Sequence, residues 1–240
     1  MSGSLIVVGT GIGFARITLE ARAAISAADE VLYLVADPVS ATAVEALNPR
    51  ARSLDDLYEE GAPHRDAYER MTEAILEPVR AGKRVCAAFY GHPGVFVLPS
   101  HQAISRARSE GFDATMLPGV SAEDCLVADL GVDPAVNGLQ SYEASDFLRR
   151  RPAIEPTTAL VLWQIGVVGA RTYSARGSAP ALGQLVELLL ERYPAGHGTV
   201  VYEASSYPGI PPLVREVGLG ALSADAVTPA STLYVPPIPR

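Results

Sequence analysis

Three glycines crowd into five residues, Gly9-Thr10-Gly11-Ile12-Gly13, between a short β-branched run and a helical pattern. A glycine turn in that position can cradle a dinucleotide pyrophosphate at a helix N-terminus. The spacing argues against it. The dinucleotide fingerprint is G-x-G-x-x-G, but here the third glycine falls one position early and Phe14 fills the slot where helix and sheet must pack closely. The acidic residue expected about 20 positions on is also missing, because Asp37 lies too far along and is followed by Pro38. What remains is a tight turn needing positive φ, or a place where a ligand or another backbone approaches closely.

Other reactive side chains are weak signals when taken singly. Residues 54–68 hold Tyr58, His64, Arg65 and Tyr68 among several acids, and alone they read as a solvated helix start. His92, taken by itself, is a loop histidine bonded locally. Cys86 and Cys125 sit in apolar stretches with no second cysteine at metal-ligand spacing, so they read as buried thiols. No disulfide framework is implied, which fits a reducing cytoplasm.

The elements that position these residues follow from apolar runs and breakers. Residues 5–8 and 31–35 read as strands, with a helix over 18–28 between them. This is the opening of a parallel βαβ unit, and the runs are continuous, as in strands buried on both faces. A helix over 68–81, a strand over 84–90, a helix over 101–110, a strand over 115–117 and a helix over 122–129 follow. Two of these strands end in glycine–proline turns, Gly91-His92-Pro93-Gly94 and Pro118-Gly119. Ligands of open parallel sheets bind at the carboxyl ends of strands, so these turns mark a ligand rim. Residues 145–156, with Arg149, Arg150, Arg151 and two prolines, read as a linker. Beyond them come strands over 159–165, 199–204 and 232–235 and an amphipathic helix over 180–193. The rhythm is less strictly parallel there, so a mixed-sheet lobe is expected over 120–240, after an α/β lobe over 1–119.

Composition narrows the classes. With 240 residues, 48% hydrophobic and 19% charged, the chain can bury a substantial core. A net charge of −8 argues against nucleic acid as the main partner. No basic and apolar leader and no membrane-length apolar run is present, so a cytoplasmic protein without a membrane anchor is expected.

Several segments together say more than any one. They are Val7-Val-Gly-Thr-Gly-Ile-Gly13, Phe89-Tyr-Gly-His-Pro-Gly-Val-Phe96, Met116-Leu-Pro-Gly-Val-Ser-Ala-Glu-Asp-Cys-Leu126, Tyr142-Glu-Ala-Ser-Asp-Phe-Leu148 and Ser231-Thr-Leu-Tyr-Val-Pro-Pro237. In this order and spacing the chain resembles the tetrapyrrole methylase superfamily, the class III methyltransferases. Within it, the chain is most similar to the borosin peptide α-N-methyltransferases. The resemblance implies a two-lobed α/β fold, with a parallel Rossmann-like N-terminal sheet, a mixed-sheet C-terminal lobe and S-adenosylmethionine (SAM) in the cleft between lobes. It implies α-N-methylation of the backbone amides of a ribosomally made precursor peptide, and a homodimer. Fused members carry the precursor on the same chain. This sequence stops at Arg240, just after the last motif, so the split form acting on a separate precursor in trans is expected.

Carried over by motif, the SAM pocket falls on Tyr90, His92, Val95 and Phe96, on Ser121 and Ala122, on Gln164, and on Ser231 and Thr232. SAM needs hydroxyl and backbone donors around an apolar slot, not a phosphate cradle, and this set offers them. The catalytic stretch of the family falls on residues 54–68, with Tyr58 and Tyr68 on family tyrosines and Tyr90 facing the cofactor. The sequence departs from the pattern at two places. The family arginine falls on His64, with Arg65 one place late, and a second family tyrosine falls on Asp55. A tyrosine base, with a reference pKa of about 10, needs a nearby cation, which Arg65 or His64 would provide. Two other readings stay open: a corrin or porphyrin-precursor methyltransferase, and a catalytically weakened SAM- or peptide-binding homologue.

Overall fold

The computed structural model describes residues 3–59, 61, 63–170 and 179–239. Met1 and Ser2, on which the reading of the N-terminus rests, and Glu60 and Ala62 of the catalytic stretch lie outside them. The chain divides into two compact units, residues 1–125 with 205–210, and residues 126–204 with 211–240.

The first unit is a parallel sheet. Its strands are β1 (Ser4–Gly9), β2 (Glu30–Leu34), β3 (Ala51–Ser53), β4 (Arg84–Phe89) and β5 (Asp113–Met116), in the order β3-β2-β4-β1-β5. Helices α1 (Leu19–Ala27), α2 (Pro38–Leu47), α3 (His64–Arg80) and α4 (Leu98–Ser109) connect them. Strand side chains alternate between faces, and the cores divide accordingly. Val85, Ala87 and Phe89 of β4 bury with Leu5, Val7 and the α3 residues Met71, Ile75, Leu76 and Val79. Cys86 and Ala88, one residue out of phase, bury with Val8, Val31, Tyr33 and the α1 and α2 residues Ile25 and Val44. Cys86 and Cys125 are buried free thiols, and burial raises the Cys86 thiol to about 12.

Two elements depart from the expected pattern. Asp37-Pro38 ends a strand, as expected, but it also starts α2: the Asp37 carboxylate accepts the N–H groups of Val39 (2.9 Å) and Ser40 (3.0 Å), with Pro38 in the first turn. An Asp cap followed by Pro is a helix-opening signal as well as a turn signal. Helix α3 begins at His64, four residues before its first expected position, because its first turn is polar and only Ala67 starts the buried stripe.

Tyr33 carries a pH prediction. Burial, and then a 2.5 Å hydrogen bond donated to Glu45, push its hydroxyl up to about 12. A pKa raised on folding favours the folded state fully below the unfolded value of about 10, and that contribution is lost as pH rises through the folded value. The urea midpoint is expected to fall between pH 10 and 12, less steeply in Tyr33→Phe. An equal slope in both would refute the assignment.

The second unit is mixed, with β6 (Leu139–Glu143), β7 (Ala159–Trp163), β8 (Gly198–Glu203), β9 (Leu213–Gly218) and β10 (Thr232–Val235) in the order β6-β7-β10-β8-β9. Only β6 and β7 pair in parallel. Leu160, Leu162, Val201, Leu233 and Val235 bury one face against Leu182, Leu185 and Leu189 of a helix over Ala179–Leu190. The expected linker opens instead with a helix, Ala144–Arg150. The Glu143 side chain accepts from Ser145 and Asp146 N–H groups, and Asp146 pairs with Arg149 and Arg150, so the basic cluster stabilises a helix end.

Candidate active site

The rim of the parallel sheet is built from backbone approaching backbone. After β1 and β4 the chain crosses itself: Gly91 N–H donates to Gly11 O (2.8 Å) and Gly11 N–H to Gly91 O (3.3 Å). A Cβ on Gly9 would meet Gly91 O at 2.2 Å and Gly119 Cα at 3.0 Å, so the loops after β1, β4 and β5 touch at glycines. A Cβ on Gly13 would meet Ser206 O at 2.2 Å. The Arg16 guanidinium donates to Ser205 O (2.6 Å), and the Tyr207 hydroxyl donates to the Asp37 carboxylate. The glycine turn is therefore filled by its own chain and leaves no room for a pyrophosphate. This settles the choice between ligand and backbone in favour of backbone.

An aromatic cluster stands beside this rim. Tyr58 follows a 3-10 turn over Asp55–Leu57, while His64 and Tyr68 lie one turn apart on α3. Tyr58 meets Tyr68 edge-on with centroids 6.4 Å apart, and His64 stacks on Tyr68 at 5.9 Å. Tyr58 also meets His64 edge-on at 6.4 Å. The Tyr58 and Tyr68 hydroxyls share a hydrogen bond. Burial raises the pKa of Tyr58, of Tyr68 and of Tyr90, and the charges of Tyr68 and Tyr90 add to the shift of Tyr58. Tyr90, at the end of β4, keeps 41% of its surface exposed. All three phenols are held neutral at pH 7. Arg65 is exposed in the first turn of α3, and its charge acts on Glu69.

The loop after β4 presents the other residues of this unit. The His92 ring accepts Gly94 N–H at Nδ1 (3.0 Å), which leaves the proton of a neutral ring on Nε2. Val95 and Phe96 are exposed, and Phe96 holds a left-handed backbone, φ 56°. A bulky side chain at positive φ is strained and persists where the surroundings impose it, as at ligand sites. Ser121 caps the helix over Ala122–Leu130. Its N–H and hydroxyl both donate to the Asp124 carboxylate (2.7 and 2.6 Å), and Asp124 N–H returns to the Ser121 oxygen (3.1 Å). Ala122 is the first residue of that helix. The spacing is that of a Ser-x-x-Asp capping box, and it commits both the hydroxyl and the N–H of Ser121. Ser121→Ala is expected to destabilise the protein by about 1 kcal/mol, read as a shift in urea midpoint. No shift would show that the cap is not used.

In the second unit Gln164, Ser231 and Thr232 come together. Gln164 turns the chain after β7 with φ 61°, and the next N–H, of Ile165, donates to Ser231 O (3.0 Å). The Ser231 hydroxyl is buried and donates to Glu203 (2.5 Å), an acid that sequence reasoning missed. Thr232 opens β10, also buried. Among the described residues three non-glycine residues hold positive φ, and two of them, Phe96 and Gln164, are expected cofactor residues. In the first unit, exposed Val95 and Phe96 beside thin glycine backbone suit an apolar ligand face better than phosphates. Among the described residues no group of acids, histidines and cysteines could hold a metal ion, and no helix is long and apolar enough to cross a membrane.

These two sheets and this rim define a class: residues 4–209 match the tetrapyrrole (corrin/porphyrin) methylases, and the chain belongs to that family, whose members use SAM. Among relatives, it is 41% identical to a methyltransferase/ribosomally synthesized cyclic peptide gymnopeptides precursor of Gymnopus fusipes, over 98% of this chain and 58% of the relative. It is 42% identical to the corresponding omphalotin A precursor protein of Omphalotus olearius, over 100% of this chain and 59% of the relative. The chain thus spans a little over half the length of these curated relatives. The uroporphyrin-III-C-methyltransferase of Thermus thermophilus shares the fold at TM-score 0.70 and 23% identity, covering 98% of this chain and 93% of that one.

Proposed function

We propose that the chain methylates backbone amide nitrogens of a peptide, using SAM. The observation that carries this reading is the cluster of Tyr58, Tyr68 and His64 in ring contact, with Tyr90 at the end of β4, and all three phenols held neutral by burial. The relatives named as methyltransferase and cyclic peptide precursor in one chain support a peptide as substrate.

The chemistry asks for such a cluster. An amide nitrogen is a poor nucleophile because its lone pair is delocalised into the carbonyl. When bound, SAM supplies an electrophilic methyl group. The protein must then stabilise charge on the carbonyl oxygen as imidate character develops, and accept the N–H proton. The hydrogen bond between Tyr58 and Tyr68 holds two phenol hydroxyls together, so a donor is available to the carbonyl oxygen. In this reading His64, stacked on Tyr68, is the base that takes the N–H proton. Arg65 lies one residue on, exposed in the first turn of α3. In this reading Tyr90, His92, Val95, Phe96, Ser121, Ala122, Gln164, Ser231 and Thr232 hold the cofactor. A homodimer belongs to the same reading, and light scattering should give twice the chain mass.

The test is intact-mass spectrometry of a candidate precursor peptide, supplied as a separate molecule with SAM and this protein. Stepwise gains of one methyl mass, mapped by fragmentation to backbone nitrogens, support the proposal. An unmodified peptide alongside a methylated tetrapyrrole precursor in a parallel assay would sink it.

A further inference from the structure

We propose that Arg70, outside the catalytic set, is a positioning residue that contacts both chain neighbours of Tyr58, the Leu57 carbonyl and the Glu59 carboxylate, and holds that ring in the cluster. The inference rests on the preceding reading for what Tyr58 does, but not for where Arg70 sits.

Arg70 lies on α3, two residues beyond Tyr68 and six beyond His64. Its Nη2 donates to Leu57 O at 2.9 Å and stands 3.4 Å from the Glu59 carboxylate. Leu57 and Glu59 flank Tyr58 in the chain. On the N-terminal side the tyrosine is already fixed, because Leu57 N–H donates to Leu54 O (3.1 Å) and Tyr58 N–H to Asp55 O (3.0 Å). Arg70 adds the restraint from the helix side. Leu57, Tyr58 and Tyr68 all pack on the same core, so the grip sets how Tyr58 meets Tyr68.

The Nε of Arg70 is buried and makes no hydrogen bond among the described residues. A buried unpaired N–H disfavours this placement. The guanidinium is held by its Nη2 contacts and by packing, with 36% of the side chain exposed. One Nη2 carries two N–H groups in a fixed plane and so faces a carbonyl and a carboxylate together, whereas a lysine ammonium is a point charge on a flexible stem. Nothing in the local sequence announces this role, since Arg70 is one of several charged residues on the helix.

The experiment is fluorine NMR of protein labelled with 3-fluorotyrosine, run beside kinetics. The Tyr58 resonance is the one lost in Tyr58→Phe. In Arg70→Gln it is expected to move toward the position of free fluorotyrosine. kcat should fall between roughly tenfold and a hundredfold, since small misplacements of a catalytic group have effects of that size, while KM for SAM stays unchanged. Arg70→Lys should fall between Arg70→Gln and wild type in both readouts. A Tyr58 resonance unmoved in Arg70→Gln overturns the proposal, as does a shifted resonance with unchanged kcat. If Arg70→Gln does not fold, Glu59→Gln and Arg70→Lys each remove part of the grip and are judged by the same readouts. If the wild type methylates no peptide, the functional reading falls separately, and the resonance alone decides whether Arg70 positions Tyr58.

Discussion

Tyr68→Phe is expected to slow methyl transfer by roughly a hundredfold or more while leaving SAM affinity within a factor of a few. The substitution removes one oxygen and keeps the ring. The edge-on contact with Tyr58 and the stack on His64 survive, so the cluster keeps its shape. What is lost is the Tyr68 hydroxyl and the hydrogen bond it shares with Tyr58. Tyr58→Phe should have the smaller effect, because Tyr58 acts through Tyr68. Single-turnover methylation gives the rate and calorimetry gives the affinity. Loss of SAM binding in Tyr68→Phe would instead place that residue in the cofactor pocket, and the division between pocket and catalytic stretch would fail.

The second large effect is on stability. Gly9→Ala is expected to destabilise the protein by an amount at the upper end of the roughly 1–3 kcal/mol seen for overpacked sites. The new methyl would stand 2.2 Å from Gly91 O, 2.8 Å from Pro93 Cδ and 3.0 Å from Gly119 Cα. These are backbone atoms or a ring fixed to the backbone, and none can rotate away. Gly183→Ala is the opposite case, with nothing within 4 Å of the new methyl and a helical setting. It should stabilise by about 0.8–1 kcal/mol, the difference in helix propensity. Urea midpoints at constant slope measure both. Equal small changes in the two variants would show that the loops after β1 and β4 yield.

How far the sequence exposed this architecture depends on what each element shows of itself. The parallel strands β1, β2 and β4 were legible because they are buried on both faces and read as continuous apolar runs. The edge strands β6 and β9 were not, because Leu139-Gln-Ser-Tyr-Glu and Leu213-Val-Arg-Glu-Val-Gly are too polar to stand out from loop. Helix α2 hid behind Asp37-Pro38, whose turn signal masked its cap signal. Within the site, the capping box of Ser121 and Asp124 stands at a local spacing that went unread beside the family motif. The grouping of Tyr58 with His64 and Tyr68 depends instead on how the chain enters α3. The filling of Gly13 by Ser206 and the Glu203 partner of Ser231 are tertiary contacts with no local trace.

The segment 205–210 belongs to the first unit, yet it is reached only after β8 of the second. Arg16 must wait for Ser205, 189 residues later. At ribosomal speeds of about 5–20 residues per second, that interval is on the order of ten to forty seconds. Throughout it a nascent first unit has its parallel strands but not the backbone that fills Gly13, nor the hydroxyl that meets Asp37. The glycine turn is then finished late, by the connection between β8 and β9. A chain cut before residue 205 leaves the ribosome with its oldest turn still unfilled.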